Sequence, residues 1–180
     1  MEGLLVKPKI CGSCGASGAA MRCECKTVCY CDAECQRASW TKHKEVCSWA
    51  LKRRVERERE RLGDDDGAVG EASLKLGEVL LDQEDLAGAE EHLKEGLRIR
   101  RSTFGVKSEE AADATSLLGG VYAKQGRLDD ALKMEKRALR VYRRVHGDKH
   151  ADVAIALNSV GLALWRKGEL DRAMAKFEEA

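Results

Sequence analysis

From about residue 68 onward, apolar positions recur at helical spacing. Leu76 and Leu80 are four residues apart, and so are Leu93 and Leu97, which puts each pair on one helix face. The pattern also repeats at longer range. Gly77, Gly119 and Gly161 lie 42 residues apart, as do Leu86, Leu128 and Leu170, and Ala89, Ala131 and Ala173. The repeating segments read "LGEVLLDQEDLAGA", "LGGVYAKQGRLDDA" and "VGLALWRKGELDRA". A fixed period of this size predicts a solenoid of stacked units. Each unit reads as two helices of similar length joined by a short turn at "QE", "QG" or "KG". Gly77 and Ala89 are small where the two helices of a unit would touch. Gly105 and Gly147 stand where one unit turns into the next, which predicts left-handed caps there.

These units resemble tetratricopeptide repeats, in the long variety found in kinesin light chains. The matching residues are Leu118, Gly119 and Tyr122, the run from Gly126 to Ala131, "RALRVYRRVHG" from Arg137 to Gly147, and "HADVA" from His150 to Ala154. The resemblance covers about residues 73–180. Three positions depart from it. The first repeat reads "DQEDLAGA", with Glu84 where Gly would be expected in the turn. Glu135 stands where the family usually has an aromatic, which predicts looser packing. Ala151 replaces a common Pro. The third unit stops at "MAKFEEA", within its second helix, leaving Phe177 without a following helix. The expectation is a fragment or a truncated product.

Before the repeats, "LKRRVERERERL" at residues 51–62 has no Gly or Pro and alternates charge. Its Lys52–Glu56 and Arg54–Glu58 pairs, with Glu56–Arg59 and Glu58–Arg61, support a helix by a few tenths of a kcal/mol each. It reads as a solvated spacer, with a nucleic-acid contact as the competing role. "GDDDG" at 63–67 ends it and offers an N-cap for the first helix of the repeats.

Composition agrees with a helical protein: 35% of residues are charged, 4% are aromatic, and there is one proline among 180 residues. Residues 1–62 carry 13 Lys+Arg against 8 Asp+Glu, and the rest 19 against 23. That excess is too small for a nucleic-acid footprint, so it gives no ground to expect nucleic acid as a partner. There is no secretory pattern, and no apolar run approaches the ~20 residues of a membrane span, so no membrane partner is expected. The expected location is intracellular, cytoplasmic or nuclear.

All eight cysteines fall between residues 11 and 47. In a reducing compartment, clustered cysteines point to metal rather than disulfides. The spacing gives four pairs: Cys11-x2-Cys14, Cys23-x-Cys25, Cys31-x3-Cys35 and His43-x3-Cys47. Zn²⁺ takes thiolate and imidazole in closed four-ligand structural sites, so four pairs make two sites. Cys25-x3-Cys29, with Cys23 left out, is a competing choice for the second pair. His92, His146 and His150 have no partner at ligand spacing and read as surface or turn residues.

The cysteine segment resembles the MYND-type zinc finger, carried by "CGSC", "YCDAECQ", Trp40 and "HKEVC". By that resemblance Cys11, Cys14, Cys31 and Cys35 hold one zinc. Cys23, Cys25, His43 and Cys47 hold the other, the two sites interleaving. One residue separates Cys23 and Cys25 where the family usually has two. Cys25 keeps the family's gap to Cys31, which favours it over Cys29. Two bound Zn²⁺ on seven thiolates would bring the formal charge from +1 to about −2.

The expected fold is mainly α. A small two-zinc MYND finger (a short hairpin plus short helices, residues 1–50) is followed by the charged spacer and linker at 51–67. A tetratricopeptide-repeat solenoid occupies 68–180, its last repeat truncated. Both zinc sites are full, and no nucleophile or phosphate-loop motif is present, so no enzymatic activity is expected. MYND fingers also occur in SET-domain methyltransferases, but that domain needs more sequence before Cys11 and an Asn-His motif that this chain lacks.

The resemblances imply a protein-interaction scaffold or adaptor. The finger would dock short peptides, proline-containing ones included, beside a strand near Thr27–Tyr30. Tyr30, Gln36 and Trp40 would line that groove. The first helices of the repeats would bind a second protein segment, with Ser116, Asn158 and Trp165 as candidates by family position. Simple core packing is the competing role for Trp40 and Trp165. A nucleic-acid-associated transcriptional regulator is the alternative class, as is a fragment of a larger MYND-containing protein. Partner identity and oligomeric state stay open.

Overall fold

The computed structural model describes residues 21–22, 29–30, 33–43 and 47–180. The chain divides into two compact units, Met1–Arg54 and Val55–Ala180. In the first, strands β1 (Met21–Arg22) and β2 (Cys29–Tyr30) form an antiparallel pair, with Met21 opposite Tyr30 and Arg22 opposite Cys29. Helix α1 spans Ala33–His43.

Helix α2 spans Ser48–Leu62, so the division between units falls inside it. It begins three residues before the expected spacer and is not solvated all round. Leu51 and Val55, one turn apart, are both buried. Of the expected charge pairs, Arg61–Glu58 forms at 2.6 Å, while Arg59 turns instead to Asp64 and Glu95.

Six helices follow the end of α2 in the second unit: α3 (Gly67–Asp82), α4 (Leu86–Phe104), α5 (Glu109–Lys124), α6 (Leu128–His146), α7 (Ala151–Arg166) and α8 (Leu170–Glu179). Asp66 caps α3 as the linker suggested, its Oδ1 accepting from Ala68 N at 2.8 Å. Asp85, Ser108 and His150 cap α4, α5 and α7 in the same way. Each such cap stabilises its helix by about 1 kcal/mol. Pairs α3–α4, α5–α6 and α7–α8 pack within the repeats, and α4–α5 and α6–α7 between them.

The joints between repeats copy one another. Lys124 Nζ donates to Leu81 O, and 42 residues on Arg166 Nη1 donates to Ala123 O, both at 3.3 Å. Each cation satisfies a carbonyl at the C-terminal end of the preceding repeat's first helix, where the dipole favours positive charge. Gln125 Nε2 donates to Glu90 Oε2 at 2.9 Å across the first joint, and Lys167 Nζ to Asp129 Oδ1 at 2.6 Å across the second.

Gly105 and Gly147 have positive φ, 94° and 80°, but their ψ values are 157° and 169°. They therefore leave the left-handed helical basin expected for them and occupy an extended region essentially reserved for glycine. In the turns within repeats, Gly126 and Gly168 have φ of 77° and 80°, and Glu84 adopts 62° at the equivalent place. The first repeat keeps the turn and accepts the strain.

The period also explains the small residues. A methyl on Gly77 would lie 2.6 Å from Leu93 Cγ, on Gly119 2.7 Å from Glu135 Oε1, and on Gly161 2.5 Å from Phe177 Cε1. Leu93, Glu135 and Phe177 are themselves 42 residues apart. The loosening expected at Glu135 does not occur. Its side chain fills the space beside Gly119, is only 5% exposed, and accepts from Ser116 Oγ at 3.0 Å. Burial pushes its carboxyl up to about 7, the Ser116 bond opposing. Phe177 keeps 43% of its surface exposed, as its place in the last helix suggested.

Candidate functional site

In the first unit, α1 carries Cys35, Gln36, Trp40 and His43. Gln36, Trp40 and His43 follow i, i+4, i+7 spacing and share a face. Trp40 meets His43 edge-on at 6.0 Å between centroids and Trp49 at 6.4 Å, and Arg53 lies over the Trp49 ring at 5.5 Å. Trp40 and Gln36 are both half-buried. Trp40 therefore packs on its neighbours while keeping some open surface, which combines core packing with an accessible ring.

His43 and Cys47 are buried. Cys47 O accepts from Leu51 N at 3.0 Å, so the first turn of α2 fixes the backbone of Cys47. Burial lowers the His43 pKa, favouring the neutral imidazole that a metal needs. Thiols and a neutral imidazole are a zinc donor set, so the described part of the finger fits the metal. Cys11, Cys14, Cys23, Cys25 and Cys31 lie outside the described residues. Tyr30 and Cys29 are placed on β2 by their backbone.

In the second unit, a cleft of about 360 Å³ is lined by Glu78 of α3, Arg100 of α4, Asp113, Ser116 and Leu117 of α5, and Tyr142 of α6. Tyr142 Oη donates to Asp113 Oδ1 at 2.9 Å. Arg100 Nη1 lies 3.7 Å from Asp113 Oδ2 and donates to Glu110 O at 2.9 Å. Burial raises the Asp113 pKa, opposed by the Tyr142 bond and the Arg100 charge. The cleft thus presents a carboxylate and a guanidinium beside apolar walls. Ser116 is at its edge, but its hydroxyl is committed to Glu135.

Asn158, 42 residues after Ser116, is exposed on α7. It sits in a stripe with Ile155, Leu162 and Trp165, which are 61%, 45% and 56% exposed. Spacings of three, four and three place all four on one face. Core packing, the competing role for Trp165, is therefore overturned. Arg100, Asp113 and Tyr142 were missed. The 42-residue equivalence of Asp113 with Ile155, three residues before Ser116 and Asn158, was the available signal.

A tetratricopeptide-repeat family model matches residues 68–144 and 110–180, and a MYND-finger model matches residues 11–47. The chain belongs to the tetratricopeptide-repeat family and carries a MYND finger, a zinc-binding domain, ahead of the repeats. Dauer abnormal formation protein 25 of Caenorhabditis elegans is 49% identical over 49 residues, 27% of this chain and 12% of the worm protein. Among solved structures, BtubC (BKLC) from P. vanneervenii aligns with a TM-score of 0.70 at 19% identity, covering 81% of this chain and 57% of that one. A Podosopora anserina putative kinesin light chain with nearly identical TPR-like repeats aligns at 0.69 and 13% identity, covering 80% and 68%. At such identities these structures share the fold alone. Finger and repeats together make this a protein-interaction scaffold architecture. No helix among the described residues is long and apolar enough to cross a membrane.

Proposed function

We propose that the chain is a two-ended adaptor that holds one protein segment at the finger and a second on the repeats. The observation that carries this reading is the exposed stripe Ile155, Asn158, Leu162 and Trp165 on α7. Three apolar side chains around an amide suit an extended peptide: the amide can donate to and accept from its backbone, while the apolar groups take its side chains. In the preceding repeat, the cleft beside Ser116 and Asp113 would receive polar groups of the same segment.

At the finger, a peptide would pair along β2 and set an apolar side chain against Trp40, with Gln36 and Tyr30 beside it. Two Zn²⁺ would hold that surface. Cys11, Cys14, Cys31 and Cys35 would bind one, and Cys23, Cys25, His43 and Cys47 the other, with Cys29 spare. Cys35 and His43 are eight residues apart on α1, about 80° round the helix, which suits ligands of different ions. Zinc here is structural, and binding it orders a segment too short for a large core.

The test compares partners captured by wild type, His43→Ala and Asn158→Ala/Trp165→Ala, with zinc counted by native mass spectrometry. His43→Ala should fall from two zincs to one and lose one set of partners. The α7 variant should keep both zincs and lose a different set. If both variants retain every wild-type partner, the two-ended reading is wrong.

A further inference from the structure

At the joint between the second and third repeats, two imidazoles and a carboxylate come within 4.8 Å of one another at their ligand atoms: His146, His150 and Asp152. His146 and His150, read from the sequence as turn residues, share the x3 spacing of His43 and Cys47. The turn at Gly147 folds the end of α6 back on the start of α7, and the two rings stack at 4.1 Å between centroids. Glu109, in the first turn of α5, reaches the same spot: its Oε1 is 3.1 Å from His146 Nε2. Asp152 Oδ2 lies 3.7 Å from His146 Nε2 and 3.2 Å from His150 Nδ1.

Two observations show that this cluster is unsatisfied. His146 Nε2 is buried without a hydrogen-bond partner, although carboxylates face it from two helices. His150 Nδ1 accepts from Asp152 N at 3.2 Å as the cap of α7, so in that role it carries no proton. Asp152 Oδ2 lies 3.2 Å from the same nitrogen, an acceptor beside an acceptor. A cation among these atoms would relieve both problems.

We propose that His146, His150 and Asp152, with Glu109 as a fourth donor, form a binding site for a borderline transition-metal ion of the Zn²⁺ or Ni²⁺ class, separate from the finger. Metal–ligand bonds of 2.0–2.2 Å in a tetrahedron put neighbouring donors about 3.3 Å apart. The separations of 3.1, 3.2 and 3.7 Å bracket that value. Imidazole with carboxylate selects this metal class over the hard cations and over the soft ions that favour thiolates. Parallel rings cannot both point at one ion, so one must turn. His150, 45% exposed, has the room. The bound ion would tie α5, α6 and α7 together at one point.

The experiment titrates Ni²⁺ into the zinc-loaded full chain by calorimetry, with zinc content followed by mass spectrometry. Wild type should take up one Ni²⁺ without releasing zinc. His146→Gln should weaken that uptake at least tenfold. So should His150→Asn, which removes the imidazole but retains a good helix cap. Asp152→Asn should weaken it several-fold, and His92→Ala should leave it unchanged. Circular dichroism checks that each variant keeps its helices. No uptake by wild type, or equal uptake by His146→Gln/His150→Asn with its helices intact, overturns the site.

Discussion

At the same place in successive repeats, Gly77 meets Leu93 and Gly119 meets Glu135. The backbones are alike, and both side chains occupy the space that the glycine leaves. The first contact is apolar and indifferent to pH. The second puts a carboxyl there, and among the described residues only Ser116 bonds it. Equivalent positions in one solenoid can therefore share geometry while differing in chemistry, because the glycine fixes how close the helices come and not what fills the gap.

The largest expected effect comes from pH. The Glu135 carboxyl sits at about 7 in the folded chain against an ordinary value of 4.5. The folded state then binds more protons than the unfolded one between those values, so stability falls as pH rises through that window. The loss, complete above the folded pKa, is roughly 3 kcal/mol. Urea denaturation from pH 4.5 to 8, wild type against Glu135→Gln, isolates the difference. If the two curves run parallel, Glu135 is not a buried acid.

Adding a methyl to each glycine sharpens the comparison further. Gly77→Ala presses on the branched Leu93 and on its backbone N at 3.2 Å, and should cost about 1–3 kcal/mol. Gly119→Ala meets the flexible end of Glu135 and should cost clearly less, by the same denaturation. Equal losses would mean that the carboxyl is held as firmly as the leucine.

The smallest effect concerns the turns. Glu84 adopts the positive φ that Gly126 and Gly168 supply elsewhere. Glu84→Gly should stabilise the chain by about 1 kcal/mol, read as a higher urea midpoint. An unchanged midpoint would mean that the added backbone freedom of glycine in the unfolded state cancels the relief.

Regular features were legible in the sequence. The 42-residue period located the helix pairs, their turns and the small residues between them, because those depend on local spacing. The Asp66 cap was legible for the same reason. Features that depend on what packs on a helix were not. Charge alternation hid the burial of Leu51 and Val55. A missing aromatic suggested loose packing, but a glycine 16 residues earlier had already shaped the space that Glu135 fills. His146 and His150 have the same x3 spacing as His43 and Cys47, so a signal was there; what spacing does not carry is the glycine turn that stacks the rings beside Asp152. The finger was legible as a ligand pattern, whereas the choice between Cys23 and Cys29 depends on backbone geometry that spacing does not carry.

The exposed faces of α7 and α8 set the order in which the repeats come apart. Helix α8 buries Ala173 and leaves Leu170, Met174 and Phe177 exposed, while α5 and α6 have neighbours on both sides. In a quasi-one-dimensional array each unit is stabilised by its neighbours, so a helix pair with less buried apolar surface opens at lower cost. Heating would therefore open the α7–α8 pair of residues 151–180 more readily than the α5–α6 pair, and one melting temperature would average separate events.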